Sequence, residues 1–511
     1  MEDPLLKMIR QSLLETLVEA LDRRRDDKID RISILPQSVL LHILSLLDFK
    51  EAAATSVLST SWRDLFLQLP NILLVFDTNG NPSDNPRLFH IFTLFANRVF
   101  RERNPEASIK LLHVSVRNYT KRMEEDYRSL LMSVAAAVST HKVHQFSLDL
   151  GTYSSSTKAS SIVLPPAMFR SETLTSLLLT LFVGWDVPEN VWLPNLRDAH
   201  FLPYRLMHEN SIQRFLDGCP RLEKLMFCIR LITWKVKTKV KTLRMSSSTL
   251  KVLGVTWDLI DETEMSIAVK SESLESLTLC LRGGHKVNVD APNLKSFDIS
   301  GHVRELNIIQ GFPSIDEAEI DVAYTFQASD LDNIYSRSEK ASTFLRALGN
   351  VRLLRISEPI MKVLYLSTSA MPTFRNMYKI KLIPHYCDDF PRDRIEQVLF
   401  DLFENCPNLQ VLSFDKINVF NDYNNSGDVD FEPVFPIRMV QNLKKLKIAH
   451  FKGREGEYKL VEYFMNNGES LEIVSVRKDG WKAITREQQK RILSLRAEKR
   501  VRIYLGKNLI L

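Results

Sequence analysis

A six-residue pattern returns twelve times along this chain, and it leaves few folds open. The pattern is an apolar residue, two others, an apolar residue, one other and an apolar residue. Ile109, Val143, Leu174, Leu222, Leu250, Leu274, Leu294, Val351, Met377, Leu409, Leu443 and Leu471 each open a copy. Ile109-x-x-Leu112-x-Val114 and Leu471-x-x-Val474-x-Val476 are the first and last. Its last two apolar positions alternate with polar ones, the period of a strand with one buried face. The opening residue sits three earlier, in the turn that enters the strand. One such unit cannot bury its own apolar face. Stacked units can, and they then form a parallel sheet along one side of a solenoid. The spacing is uneven, so the expected solenoid is imperfect, with insertions.

Some units follow a helix-like stretch, as Ser211 to Asp217 does before Gly218-Cys219-Pro220. Arg394 to Glu404 does the same before Asn405-Cys406-Pro407. Each Cys-Pro dipeptide ends its helix, because a residue before proline avoids helical geometry. The next strand is expected two residues later, with the cysteine a small buried apolar residue in the turn. Loops are expected where apolar residues vanish: Thr78 to Pro86, Gly151 to Ser161 and Asn421 to Pro433.

Composition narrows the function. The 511 residues are too many for one compact core, and the 44% hydrophobic and 25% charged content is that of a folded soluble protein. Net charge is +6 with both signs interspersed, so no nucleic-acid partner is expected. The apolar stretches Met132 to Val138 and Leu177 to Val183 are too short to cross a bilayer, and no membrane partner is expected. Glu2, Asp3 and Glu15 interrupt the N-terminal apolar residues, which speaks against a signal peptide. Five cysteines (Cys219, Cys228, Cys280, Cys387, Cys406) without a C-x-x-C pair suit a reducing compartment, the nucleus or the cytoplasm. There is no P-loop, no metal-binding histidine or cysteine motif and no zinc cluster, so neither catalysis, cofactor nor metal is expected. His141 and His144 read as a polar surface turn.

The chain opens with an amphipathic stretch, Pro4 to Arg25, in which Leu6, Ile9, Leu13, Leu17 and Leu21 form one stripe. It reads as a helix packed on its own protein. Arg23-Arg24-Arg25 reads as a solvated helix end, with a nuclear signal as the alternative. A dense block follows from Asp30 to Asn71. Leu35-Pro36 opens a helix, since proline suits a first helical turn. Val39, Leu40, Ile43, Leu44 and Leu47 follow at helical spacing. Asp48 can cap a second helix, Glu51 to Leu58, and Thr60 a third with Trp62, Leu65, Phe66 and Leu69 on its apolar face. Three helices in some forty residues enclose little volume, so some of these side chains should stay exposed until a partner covers them. Trp62 is the natural anchor.

This block resembles an F-box through Leu35-Pro36, Ile43-Leu44, Val57-Leu58-Ser59, Trp62-Arg63 and Leu69-Pro70-Asn71. The resemblance implies binding to the Skp adaptor of a Skp–cullin–F-box ubiquitin ligase, by Leu35, Pro36, Leu40, Ile43, Leu44, Val57, Leu58 and Trp62. Several of these can instead be core; for Val57 and Leu65 both readings stand open. The repeats resemble the irregular leucine-rich repeats of plant F-box proteins, through phrases such as Asp217-Gly218-Cys219-Pro220-Arg221-Leu222 and Ala291-Pro292-Asn293-Leu294. Phe451-Lys452-Gly453, Glu457, Val461-x-Tyr463-Phe464 and the Leu471 strand resemble the FBD segment that follows such repeats. A helix from Glu457 to Asn466 is expected there, stopped at Gly468, as the terminal cap of the solenoid.

The expected fold is therefore α/β: a three-helix F-box, an irregular leucine-rich-repeat solenoid with a parallel sheet, and an FBD cap. The expected boundaries are 1–29 for the N-terminal helix, 30–77 for the F-box and 78–99 for a linker and connecting helix. Repeats occupy 100–433, the FBD-like segment 434–478 and a charged tail 479–511, with a helix expected from Thr485. The implied function is a non-catalytic substrate receptor that holds the adaptor, and through it cullin, at one end and a target protein at the other. Alternatives are a ligand-gated receptor similar to plant hormone receptors, and a scaffold outside any ligase. Lys224, Met226, Ser276, Thr278, Ser296 and Asp298 lie between buried strand positions and are the candidate target-binding residues.

Overall fold

The computed structural model describes residues 32, 34–77, 85–117, 121–151, 164–206, 208–230, 240–258, 264–323, 343–365, 370–383, 392–415, 435–478, 484–495, 501–506 and 508–509. The N-terminal stripe, Arg23-Arg24-Arg25, Cys387, and nearly all of the three expected loops lie outside these residues. The chain forms two compact units, Met1–Leu206 with Asp217–Leu222, and Met207–Leu216 with Glu223–Leu511.

The first unit begins with helices α1 (Gln37–Ser45), α2 (Phe49–Thr55) and α3 (Thr60–Phe66). Pro36 precedes α1 in extended geometry, and Asp48 with Glu51 forms the capping box of α2. The third cap differs from expectation. Ser59, not Thr60, accepts from the Trp62 N–H at 3.3 Å. The serine has extended backbone, the geometry a cap needs, whereas Thr60 already belongs to the helix. Strand β1 (Asn71–Phe76) follows after four residues. Then come α4 (Asn85–Glu102), β2 (Leu111–Val116), α5 (Glu124–Thr140), β3 (Gln145–Leu150), β4 (Ser176–Trp185) and β5 (Asp198–Leu206). The five strands pair in parallel, each with the next.

The three-helix block therefore runs straight into the first repeat. Leu69, Ile72 and Leu74 already carry the repeating pattern and are all buried. Phe95 of α4 meets Phe49 and Phe66 at centroid distances of 6.5 Å. The guanidinium of Arg103 is buried and donates to the carbonyls of Leu67 at 2.7 Å and Ser108 at 3.2 Å. Those acceptors offset the cost of removing the cation from water. His141 is not a surface residue: it is buried, with Nε2 3.1 Å from the Phe100 carbonyl oxygen. His144 stays exposed in the turn before β3.

The second unit starts at α6 (Ser211–Asp217) and holds a longer parallel sheet. Its order is β6 (Lys224–Arg230), β8 (Val252–Asp258), β10 (Ser276–Asp290), β11 (Ser296–Ile308), β12 (Glu317–Ala323), β13 (Leu353–Ser357), β14 (Lys379–Ile383), β15 (Val411–Phe414), β16 (Lys445–Ile448), β17 (Ile473–Val476) and β18 (Arg502–Leu505). Helices α7 (Glu358–Tyr365), α8 (Arg392–Glu404), α9 (Ile437–Asn442), α10 (Glu455–Asn467) and α11 (Arg486–Ser494) lie between the later strands in sequence. The middle of the unit returns by strands instead. Strands β7 (Thr242–Ser246) and β9 (Ser266–Lys270) pair in parallel, and β9 pairs with the second half of β10. Strands β10 and β11 are long because each serves both layers. His285 sits buried at the bend of β10, edge-on to Trp257.

Each of the twelve sequence copies becomes a strand and its entering turn. All thirty-six pattern residues are buried, none more than 5% exposed. A polar residue just before the opening apolar position ties each of several repeats to its predecessor. The amides of Asn195, Asn293, Asn350 and Asn408 donate to the carbonyls of Glu172, Glu272, Pro313 and Arg375 at 2.7–3.1 Å. The hydroxyls of Thr173 and Ser273 do the same toward Val143 and Leu250. Helices α6 and α8 end before Cys219-Pro220 and Cys406-Pro407, but the strands begin four residues after each proline rather than two. A tight turn fills the gap, closed from Leu222 N to Cys219 O and from Leu409 N to Cys406 O.

In the C-terminal stretch the sequence motif has a clear task. The Glu457 carboxylate is buried and accepts from the backbone N–H of Lys452 at 3.0 Å, Gly453 at 2.6 Å and Arg454 at 2.8 Å. These would otherwise be orphan donors before α10. Helix α11 of the tail is tied back to the turn and helix before it. Arg491 of α11 stacks 4.0 Å from the Tyr458 ring centroid and pairs with Glu455, and Gln488 donates to the Lys452 carbonyl. One further parallel strand, β18, thus follows the FBD segment, and β19 (Asn508–Leu509) turns back antiparallel on it.

Gly301 stands at the bend of β11 with φ 102°, and a Cβ there would press into the Leu281 carbonyl. Gly301→Ala should lower stability by about 2 kcal/mol or more, read as a fall in the urea midpoint.

Candidate docking surfaces

The three N-terminal helices divide their apolar side chains into two sets. Leu40, Leu44, Trp62, Leu65 and Phe66 are buried, at 7% exposure or less. Trp62, expected as the anchor, is thus covered by the chain itself; a large ring near the middle of three short helices is what fills their small core. Leu65 likewise falls on the core side. Val57 is 86% exposed and Leu58 54%; Leu35 and Pro36 are exposed and Ile43 half-buried. Ile34, Val39 and Leu46 are also exposed. Helical spacing marks Val39 as apolar but not which side of α1 it takes, and Ile34 and Leu46 were not singled out. A cleft of about 280 Å³ opens at Leu46, lined also by Leu47, Phe49, Leu69 and Leu73. Uncovered apolar area on this scale marks a surface built for contact.

The sheet of the second unit offers the other candidate surface. The six residues expected there lie together in two outward rows. One row runs Lys224, Val252, Ser276, Ser296; the other runs Met226, Gly254, Thr278, Asp298. Met226 lies across Gly254, where a Cβ would collide with its thioether end. Both rows continue into residues not foreseen: Glu317 and Glu319 of β12, Arg355 of β13, Lys379 and Lys381 of β14, and Lys445 and Lys447 of β16. Alternation within each strand marks them as outward, yet only pairing shows that they adjoin. Arg355 pairs with Glu319 at 3.2 Å and Lys381 with Asp415 at 3.3 Å. Burial, then the neighbouring Glu319 charge, pushes the Asp298 carboxyl up to about 6. Burial and the charges of Lys447 and Arg355 hold the Lys379 ammonium below its ordinary value.

Burial also raises the thiols of Cys219 and Cys406, the latter to about 12, so neither is a thiolate nucleophile at neutral pH. Cys406 donates instead to the Leu402 carbonyl at 3.0 Å. Among the described residues no group of His, Cys, Asp and Glu is placed to hold a metal ion, and no helix is long and apolar enough to cross a membrane.

A helical trio with a bared apolar surface, fused to stacked leucine-rich strands, defines an F-box protein with leucine-rich repeats. Three family models match: the F-box domain over residues 32–73, the LRR repeats of the FBD-associated F-box protein At5g56370 over 136–311, and the FBD over 436–476. Curated relatives align with most of the chain. The F-box/FBD/LRR-repeat protein At5g22660 of Arabidopsis thaliana is 27% identical over 86% of this chain and 87% of its own length. The F-box/LRR-repeat protein At4g14096 of the same plant is 28% identical over 87% and 86%. The chain belongs to the plant F-box/FBD/LRR-repeat family.

Two outcomes follow from these placements. Trp62→Ala should cost about 3 kcal/mol of stability while Val57→Ala changes it by less than about 0.5 kcal/mol, as read by urea denaturation. Asp298 has a raised folded pKa, so the folded state holds its proton more tightly and stability falls as pH rises from the unfolded value toward about 6. Asp298→Asn should therefore raise Tm above pH 6, and that gain should vanish below pH 4.

Proposed function

We propose that this chain is the substrate-recognition subunit of a Skp–cullin–F-box ubiquitin ligase. The observation that carries this reading is the F-box match over 32–73 together with its exposed Leu35, Val39, Val57 and Leu58. A Skp-family adaptor covers those side chains and links the chain to cullin. The leucine-rich repeats hold a target protein through the outward rows of their sheet, with Lys224, Met226, Ser276, Thr278, Ser296 and Asp298 among the contacts. The chain performs no bond chemistry. It raises the effective concentration of the target near activated ubiquitin, and other subunits transfer the ubiquitin. We place it in the nucleus or the cytoplasm, a reading supported by the free thiols of Cys219, Cys228, Cys280 and Cys406.

The apolar residues of the helical block differ in what they reveal. Leu40, Leu44 and Trp62 hold the helices together, and their loss would unfold the surface rather than map it. Val57 and Leu58 can be changed without disturbing the core. Val57→Asp with Leu58→Asp should leave Tm within a few degrees of the parent and reduce adaptor co-purification at least tenfold, because two apolar anchors become charges that must be buried. Undiminished recovery of the adaptor by this double variant would remove the interface.

A further inference from the structure

We propose that the outward face of strands β11 to β16 is the target-holding surface and that it takes a protein segment of split charge, its acidic end over Lys379, Lys381, Lys445 and Lys447. This rests on the reading of the chain as a substrate receptor and names the chemistry of what it receives.

Strand pairing aligns two rows of residues lying between the inward positions of six neighbouring strands, exposed or half-exposed except for the covered Leu353. One is Ser296, Glu317, Leu353, Lys379, Val411, Lys445; the other is Asp298, Glu319, Arg355, Lys381, Ser413, Lys447. Read in that order, both rows pass from acidic to basic. Asp298, Glu317, Glu319 and Asp321 occupy β11 and β12, and four lysines occupy β14 and β16. With strands about 4.8 Å apart, the whole span is about 24 Å, the reach of some seven extended residues.

The fold neutralises this face only in part. Arg355 meets Glu319, and Asp415 meets Lys381 with His450 close by. Lys379, Lys445 and Lys447 remain as a cluster of like charge, and Lys447 is exposed. The crowding is felt at Lys379, whose ammonium is disfavoured by burial first and by Lys447 next, with Glu317 the opposing charge. An anionic group seated among these lysines relieves that repulsion.

The acidic strands decide what kind of anion fits. A uniform polyanion such as RNA or an anionic membrane would carry negative charge over β12 as well as over β14. Those strands are about 10 Å apart, so a polyanion that spans them lies directly over the β12 carboxylates at less than one Debye length and is repelled there. A polypeptide can set glutamates or aspartates on the lysines and an arginine or lysine on the carboxylates. Charge complementarity of this kind steers association and fixes register.

The test uses the full chain co-purified with its adaptor, and fluorescence anisotropy as the readout. The first probe is a labelled ten-residue peptide with three arginines at one end and four glutamates at the other. The second has glutamates at both ends, and the third is a single-stranded uridine oligonucleotide of similar length. The split-charge peptide should bind about tenfold more tightly than either other probe, and its affinity should fall with added salt. Lys445→Glu with Lys447→Glu should weaken it about tenfold and leave adaptor co-purification unchanged. Exposed Lys447→Glu alone should weaken it about threefold, and serves if the double variant is unstable. Failure of the split-charge peptide to bind, preference for the oligonucleotide, or unchanged binding by the variants overturns the proposal. A parent chain that binds the peptide but no adaptor overturns instead the receptor reading, and with it the target role of this face.

Discussion

Within each of the two units, the described repeats lean on their neighbours. Leu277 and Leu279 of β10 are fully buried, yet the residues beside them in the same strand face outward, so what covers them is the next triplet along the sheet. Burying a leucine is worth roughly 2 kcal/mol, but only when adjoining units are in register. Coupling of this kind is close to one-dimensional, and each unit stands by its own propensity and two interfaces. The backbone ladder fixes register in one direction. The asparagine, serine and threonine bonds fix it again at the turns, where the carbonyl of one repeat meets a donor from the next. Long insertions are tolerated because they leave from turns and do not enter the stack.

The same logic binds the F-box to the repeats. Its third helix ends at Phe66, and β1 is already paired to β2 from Asn71 onward. Phe95 and Arg103 reach back from beyond the first strand to Phe66 and Leu67. A flexible linker would let a docked partner wander over many positions. Packing of this kind holds the apolar residues of α1 and α2 at a set place on the first repeats, which matters for a protein whose work is to place things near one another.

How far the sequence could be read depends on which physical signal each element carries. Twelve strands declared themselves because leucine, isoleucine, valine, phenylalanine or methionine filled all three apolar places. Strands β5 and β12 fit the same frame, as Leu196-x-x-Ala199-x-Phe201 and Ile315-x-x-Ala318-x-Ile320, but alanine in the middle place is too weak a mark to stand out. Strand β1 was hidden inside the helical block. Val240-x-x-Leu243-x-Met245 fits the pattern and is buried, yet it belongs to the second layer; periodicity tells that one side of a strand is covered, not by what. Trp62 shows the same limit. Composition says that a three-helix block has more apolar surface than it can hide, but the division into core and contact is set by helix packing. The charged rows of the second sheet were legible only residue by residue, since their alignment needs the pairing of strands separated by loops of very different length.

Inward and outward residues of the sheet answer to different demands. Inward places must be apolar and of fitting volume, because a cavity or a polar atom there costs several kcal/mol. Outward places see water, and a lysine or glutamate there changes stability by a fraction of that. A face such as that of β11 to β16 can therefore keep like charges close together, at a cost the stack absorbs, without altering how the strands pair. The separation is what makes this architecture suited to recognition. The element that determines what is held can be rewritten one residue at a time, while the element that determines where it is held stays unchanged.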